Sequence, residues 1–423
     1  MPKNSKFLSS DTTLAWLGQF DAADQLTAVD LLESMQLVSR DKFNDRLREL
    51  ILARSRGDGL IGLYAERELN HRRGVPHRLF KESARKVKRA EGSGPQPVRP
   101  TKAYDPDVGS EGIVAQLISE LCREFPEKFV SHPGPDNIRK RRVRRFMLVT
   151  DFIGSGNRAY RYIQAAWLVR SVRSWWSARK TVGMRFEVAA YAATESGQRR
   201  VQRHPSLPDV HIVRRCDTLS DYSMWQRGLK LRELCVRYDP LNHDRIESLG
   251  YGGTGALIAF AHGAPNNSPR ILHTGGRGWI PLFPKRITSG TRETFASASE
   301  LDDETIRSRL LDMRQTKLAV SPWLSNAKPY ARRSLMVLAA LSRPPRDSET
   351  ISRRTGLTIL DIEKALITAV AHYWIDDARR LTDQGHAELD NAKYEAPELE
   401  PLSEPPEILY YPKSLRAPSK VSS

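Results

Sequence analysis

The stretch FMLVTDFIGSGNRAY, residues 146–160, collects the residue types needed to grip a phosphorylated sugar. An apolar run leads into one acid, Asp151. Two more apolar residues follow, then Gly154-Ser155-Gly156-Asn157, and a helical pattern opens at Ala159. Where a strand feeds a helix through such a turn, the first N–H groups of the helix lack internal acceptors. The helix dipole also turns its positive end outward there, and together these suit phosphate. Glycine lets the backbone approach a ligand and take turns closed to side chains. Ser155 adds a hydroxyl donor, and Asp151, at the carboxyl end of the strand, can accept hydrogen bonds from ribose hydroxyls. A strand–Gly-x-Gly–helix junction also forms for packing alone, so two readings stand: phosphate cradle or tight turn. No Lys-Ser/Thr follows the glycines, which excludes a Walker loop, and the third glycine of the dinucleotide fingerprint is missing.

Other segments carry chemistry-bearing side chains. Gly109-Ser110-Glu111-Gly112 is a second small-residue turn opening a helix. Its N–H groups can face a pyrophosphate, or Ser110 can simply cap the helix. His262 and Asn266-Asn267 follow the apolar segment GALIAFA. An imidazole and two carboxamides can bind a base edge or orient a leaving group, while Pro265-Asn266-Asn267 can equally be a turn bonded to its own backbone. Trp279, in GWIPLFPKR, reads as a packing plug. RKRRVRR, residues 139–145, is either a track for a nucleic-acid backbone, with salt-dependent affinity, or a solvated lead-in to the strand. No HExxH, GxSxG, CxxC or EF-hand pattern occurs, so hydrolytic and metalloprotease readings have nothing to stand on, and no protein metal site is expected.

The elements that must position these residues follow from periodicity. Residues 11–56 read as helical, with Leu14, Leu17, Leu31, Leu32, Met35, Phe43, Leu47 and Leu50 at three- and four-residue spacings and Asp11 as the first cap. Residues 90–107, rich in Gly and Pro, read as a loop. Beyond them GSEGIVAQLISELCREF is a helix, KFVSHP a short strand and RRFMLVTDF a stronger one. AYRYIQAAWLVRSVRSWWSARK is a helix, with Ala165, Leu168, Val169, Val172 and Trp176 on one face. GMRFEVAAYAAT and DVHIVRR are further strands. Strands alternating with helices argue for an α/β domain with a mainly parallel sheet. From about 330 the pattern changes to three helices, a short strand-turn-strand and another helix, and the tail from 392, rich in Pro, Glu and Ser, reads as flexible. The expected organisation is a helical segment over 1–90, the α/β domain over 91–329, a helical domain over 330–391 and the tail over 392–423.

Composition bounds the rest. The chain of 423 residues carries 67 Lys and Arg against 50 Asp and Glu, a formal net charge of +17, which points to polyanionic partners or to a merely basic surface. Its three cysteines, Cys122, Cys216 and Cys235, are widely spaced, so neither a zinc ribbon nor a disulfide framework is supported. The N-terminus lacks an apolar signal core, and no window approaches the roughly 18 apolar residues of a membrane span. The expectation is a cytoplasmic protein with no membrane partner.

The order apolar strand, acid, two apolar residues, small-residue loop and helix is similar to the phosphoribosyl-pyrophosphate loop of type I phosphoribosyltransferases. That loop begins with two adjacent acids; here Thr150 takes the first acidic place and Asp151 the second. Together with DVGSEGIVAQLI, GALIAFAHGAPNNSPRIL and GWIPLFPKR, the chain resembles a bacterial group of phosphoribosyltransferase-like proteins with a C-terminal extension. That group is associated with anti-phage conflict systems and retron-like neighbourhoods. Residues 331–390, ending in DDARR and LTDQGHAEL, resemble a winged helix whose recognition helix would lie near Thr358–Ala371, with Arg353, Arg354, Arg379 and Arg380 as candidate phosphate contacts.

The resemblance implies an α/β fold: a phosphoribosyltransferase-like, mainly parallel sheet with an N-terminal helical segment and a C-terminal winged-helix domain. It implies phosphoribosyl pyrophosphate or a nucleotide as substrate or ligand, with magnesium bound mainly by ligand oxygens. In that reading Asp151 and Thr150 form the catalytic position. Gly154, Ser155, Gly156 and Asn157 hold the 5′-phosphate, and Gly109, Ser110, Glu111 and Gly112 face the pyrophosphate. His262, Asn266 and Asn267 face the base or acceptor. The expected function is that of a defence effector acting at the ribose anomeric carbon, with partner proteins encoded in the same operon and nucleic acid as a further partner through the basic patches. The alternative is a non-catalytic nucleotide-sensing or nucleic-acid-binding regulator working through the winged helix.

Overall fold

The computed structural model describes residues 5–57, 59–69, 71–72, 75–84, 86, 88–96, 110–181, 183–221, 226–241, 245–295, 303–323, 327 and 329–394. Gly109 and the tail beyond 394 lie outside the described residues. The chain divides into two compact units, residues 1–300 with 358–360, and residues 301–357 with 361–423.

The first unit is built on a five-stranded sheet of β2 (Ile61–Ala65), β3 (Phe129–Ser131), β4 (Arg145–Ile153), β5 (Arg185–Ala193) and β6 (Asp209–Arg215). The order across the sheet is β6-β5-β4-β2-β3, and every pairing is parallel. Parallel strands covered on both faces must be largely apolar, and the runs FMLV and VAAYAA meet that demand. Leu63, Met147, Val149 and Tyr191 join a core with α3 (Arg40–Arg54) and α4 (Ser110–Glu124). Their alternates Tyr64, Phe146, Leu148 and Val188 pack on the other face, with Ile138 of α5 (Pro135–Arg141), Tyr162 and Ile163 of α6 (Asn157–Trp167), Val172 of α7 (Arg170–Ser177) and Val201 of α8 (Glu195–Gln202).

From β2 the chain moves one way across the sheet to β3, then crosses back past β2 to β4 and continues to β5 and β6. The direction therefore reverses between β2 and β4. In open α/β sheets a crevice opens at the carboxyl ends of the two strands flanking such a reversal, and ligands bind there. β2 is not among the strands that the apolar pattern predicts, yet it forms one lip of that crevice.

Sequence expectation and structure differ at several points in this unit. Residues 11–56 are not helical throughout: α1 (Asp11–Leu17), α2 (Ala22–Ser34) and α3 are interrupted by β1 (Gln36–Val38). β1 pairs in parallel with β7 (Ile258–Phe260), so pairing with a segment far along the chain overrides the local helical pattern. Ser10, not Asp11, caps α1, its Oγ accepting from Thr13 N, and Leu14 is exposed while Trp16 faces inward. The helix expected over 159–180 breaks at Leu168–Val169 into α6 and α7, which lets both pack on a curved sheet face.

Trp279 is a packing plug. Its ring lies 5.0 Å from Phe20, 5.9 Å from Trp16 and 5.7 Å from Tyr238, and its Nε1–H donates to Ile271 O at 2.9 Å. The N-terminal helices and the 257–283 extension therefore share one core, to which α9 (Gln226–Arg237) adds Leu231 and Leu234.

In the second unit α10 (Asp303–Asp312) precedes the winged-helix elements α11 (Pro329–Leu341), α12 (Ser348–Thr355), α13 (Ile359–Ala371) and α14 (Asp383–Tyr394). An antiparallel bridge between Ile375 and Leu381 marks the wing ahead of α14. Leu335, Leu338, Ile351, Ile362, Leu366 and Leu389 fill its core. The Arg354 guanidinium is engaged inside the domain, donating to the carbonyls of Ala340, Arg343, Pro344 and Pro345. Arg379 likewise donates to Arg346 O and Ser348 Oγ, while Arg353 and Arg380 stay exposed. In the recognition position, α13 turns Ile367 outward, 68% exposed, along with Val370.

Candidate functional site

β4 delivers its last residues to the carboxyl edge of the sheet, and the chain turns there into α6. Gly156 caps α6 with φ of +74°, a left-handed conformation that a side chain resists. The turn is held from behind: Thr194, the cap of α8, donates its hydroxyl to Gly154 O at 2.6 Å. A Cβ at residue 156 would stand 2.5 Å from Gly197 O, so the turn lies directly against the first turn of α8. A Cβ at residue 154 would collide with the Asn267 amide. Both glycines are thus required by packing. Packing leaves the outer rim of the turn free: the N–H groups of Ser155, Gly156 and Arg158 have no acceptor among the described residues, while Asn157 N reaches Ser155 Oγ at 3.4 Å. Tight turn and phosphate cradle are therefore compatible readings of one loop.

Asp151 stands at the centre. Its Oδ1 accepts Phe152 N at 2.8 Å, and its Oδ2 faces His262 Nε2 at 3.4 Å. Burial by itself would raise this carboxyl; the hydrogen bond and charge of His262, the Arg158 guanidinium and the Ser110 hydroxyl outweigh it and hold the group below its ordinary value. His262 arrives from the segment after β7, its ring stacked on Phe260 and edge-on to Phe43, each at 4.9 Å. Its Nδ1 is buried without a hydrogen-bond partner among the described residues.

The structure brings the distant turn at 110–112 to the same place. Glu111, in the first turn of α4, accepts Arg158 Nη2 at 3.0 Å and Glu68 N at 3.2 Å, and burial raises its carboxyl against the pull of Arg158. Asn267 lies beneath the loop, its Nδ2 donating to Tyr251 O at 3.1 Å and Thr254 Oγ1 at 3.0 Å, so its amide hydrogens are engaged with the chain. Asn266 is exposed beside it.

Two residues of the site went unread in the sequence. Arg158, the second residue of α6, projects back across the crevice and bridges Glu111 and Glu66, the latter at 3.5 Å. Glu66 follows β2 and is 4% exposed, with Thr150 Oγ1 donating to its Oε2 at 2.8 Å. Burial pushes its carboxyl up to about 7, against the Arg158 charge and the Thr150 hydrogen bond. A signal existed: LYAE repeats the grammar of LVTD, an apolar strand closing on an acid.

The basic run lies elsewhere. It spans α5 and the amino end of β4, the opposite edge of the sheet from Asp151. Arg139 pairs with Asp136 at 2.5 Å and Arg145 pairs bidentately with Glu187 at 2.5 and 2.7 Å, whereas Lys140, Arg141 and Arg142 are exposed. No helix of the described residues is long and apolar enough to cross a membrane.

Comparison with known proteins agrees with this architecture. The family model PRTase-CE matches residues 13–285, and the model described as wHTH-PRTase associated matches residues 335–417. No curated protein and no solved structure matches the chain. The first match spans the whole sheet, both lips of the crevice and the extension that carries His262, and on it the chain belongs to the PRTase-CE family, phosphoribosyltransferase-like proteins with a C-terminal extension.

Proposed function

We propose that the crevice between β2 and β4 binds a phosphoribosyl ligand, phosphoribosyl pyrophosphate or a nucleotide, and that the protein acts at the ribose anomeric carbon. The observation that carries this reading is the convergence of Asp151, His262, Ser110 and the 154–157 turn on one point at the switch of strand direction. The rim N–H groups hold the 5′-phosphate, Asp151 accepts from ribose hydroxyls, and the 110–112 turn stands on the pyrophosphate side. In a transfer, the bond from the anomeric carbon to the leaving group breaks as the bond to the acceptor forms. Positioning and charge stabilisation are then the protein's main work. Magnesium belongs to this reading as a companion of the ligand: among the described residues no group of three or more His, Cys, Asp and Glu could hold a metal ion, and pyrophosphate supplies the hard oxygens it prefers.

Asp151→Asn keeps the shape of the site and removes the charge that favours hydroxyl donors. It should weaken phosphoribosyl pyrophosphate binding by about 1.5–3 kcal/mol, the range for a hydrogen bond to a charged group. Calorimetric titration checks this after a thermal melt has shown the variant folded; unchanged affinity would remove Asp151 from the ribose contact. We further propose a cytoplasmic defence effector working with partner proteins of its operon, which predicts that Asp151→Asn also abolishes protection in a phage plating assay.

In the alternative role, a non-catalytic nucleotide-sensing or nucleic-acid-binding regulator working through the winged helix, the outward-facing Ile367 and Val370 suit protein docking better than base reading. Nucleic acid, as a partner, would be held by Lys140, Arg141 and Arg142 and by Arg353 and Arg380. The logarithm of its affinity should then fall steeply with the logarithm of salt concentration. Absence of binding at low salt, or a flat salt dependence in filter binding, would strike nucleic acid from the partners.

A further inference from the structure

We propose that Glu66 is the second carboxylate of the ribose grip, supplied across the crevice by β2 in place of the acid that Thr150 has replaced on β4. The inference rests on the phosphosugar reading of the site. β2 and β4 are neighbours with Ala65 paired to Val149, so Glu66, the first residue past β2, stands beside Thr150, where β4 runs on paired only with β5. Glu66 N donates to Val149 O at 2.9 Å, which fixes the backbone of the one lip to the other. His132 braces the same strand end, its Nε2 accepting Ala65 N at 3.0 Å. The Thr150 hydroxyl then lies between the two acids, 2.8 Å from Glu66 Oε2 and 3.3 Å from Asp151 Oδ1. A loop with two adjacent acids would put both carboxylates on one strand; here one stands on each side of the crevice, bridged by a threonine.

The surroundings of Glu66 do not read as those of a structural ion pair. A buried carboxylate held for stability is normally matched by a close, buried cation and fully hydrogen-bonded. Arg158 is the nearest cation, but it stands 3.5 Å away, keeps 54% of its side chain exposed and lies closer to Glu111. The hydrogen bond that Glu66 accepts from a side chain is that of Thr150, at Oε2. The charged and titratable groups around it are Asp151 on β4, Arg158 and Tyr162 on α6, Glu111 on α4 and Arg67, its neighbour in the chain. Of the two cations, Arg158 is the one that lowers its carboxyl. Burial dominates, and the carboxyl ionises near 7 instead of near 4.5. Glu66 is therefore mainly protonated at pH 6 and mainly charged at pH 8, and the charged form is the stronger acceptor from two hydroxyl donors. A ribose with one of its two hydroxyls on Asp151 presents the neighbouring hydroxyl to the other lip.

The test is a titration of the full chain and of Glu66→Gln with phosphoribosyl pyrophosphate at pH 6 and pH 8, with inorganic pyrophosphate as the ribose-free probe. At pH 8 the substitution should weaken phosphoribosyl pyrophosphate by about 10- to 100-fold, the worth of a hydrogen bond to a charged group, and leave pyrophosphate unchanged. At pH 6, where the parent carboxyl carries its proton and glutamine imitates it, the gap should shrink to a few-fold. The fold should survive, because a buried acid that need not ionise lowers no stability: Glu66→Gln should melt at or above the parent at pH 8. Should that variant nonetheless fail to fold, Glu66→Asp, which retracts the charge by one methylene, should show the same selective loss. Equal affinity of parent and variant at both pH values overturns the inference and leaves the phosphosugar reading standing. An equal loss for pyrophosphate marks a structural role and also overturns it. A parent that binds no phosphoribosyl pyrophosphate overturns both.

Discussion

Ser155→Asp should abolish phosphosugar binding while leaving the protein at least as stable as the parent. Residue 155 sits on the outer rim of the turn, half-buried, with its Oγ facing Asn157 N. A carboxylate there keeps an acceptor for that N–H and lies at the positive end of α6, where an acid is favourable by roughly 0.3–1 kcal/mol. The same charge would confront a bound phosphate at close range. At about 4 Å and an effective dielectric near 20, each pair of like unit charges costs about 4 kcal/mol. A loss of at least about 100-fold in affinity for phosphoribosyl pyrophosphate is expected, and calorimetry together with a melting curve reads both quantities. The packing-turn reading expects no change in affinity, so a folded Ser155→Asp protein that binds like the parent would sink the cradle.

Gly156→Val should be one of the most destabilising single changes in the first unit, whether or not a ligand is ever bound. The valine must adopt φ near +74°, and its Cβ would begin 2.5 Å from a backbone carbonyl, Gly197 O, that belongs to the first turn of α8. Left-handed strain at a β-branched residue and overpacking of a close-packed contact each cost about 1–3 kcal/mol. The expected loss is about 2–6 kcal/mol, a large share of the roughly 5–15 kcal/mol by which domains are stable. Denaturant titration of parent, Gly156→Val and Gly156→Ala measures it. The alanine variant should also be destabilised, because the clash begins at Cβ. A valine variant within about 1 kcal/mol of the parent would mean that the turn does not lean on α8. Loss of ligand by a glycine variant therefore says little about phosphate, whereas the rim position 155 tests it cleanly.

Much of this architecture is legible in local sequence. The strands β4 and β5 announce themselves as apolar runs bounded by turns, because a parallel strand buried on both faces admits little else. The winged-helix elements show the 3.6-residue period and end at turn residues such as Gly356, which takes φ of +73°. Short elements are less legible. β1, three residues within a helical-looking run, is a strand only because β7 lies beside it, and β2 is too brief for its pattern to stand out.

The site divides along the same line. By itself, the sequence determined one lip: an acid at the end of β4, a Gly-Ser-Gly turn and a helix start, since strand, turn and helix are contiguous and each has a local signature. That the acid closing LYAE forms the other lip was decided by tertiary structure. Glu66 is 84 residues from Thr150 and His262 is 111 from Asp151, and nothing in either neighbourhood specifies the other. Glu66 and Thr150 meet because the chain crosses back over β2 on its way to β4, which sets the two strands side by side at the reversal. His262 is instead brought in by the segment after β7, held by its pairing with β1. Burial then does what no sequence pattern encodes: it withdraws solvent from the Glu66 carboxylate and moves its ionisation to about pH 7.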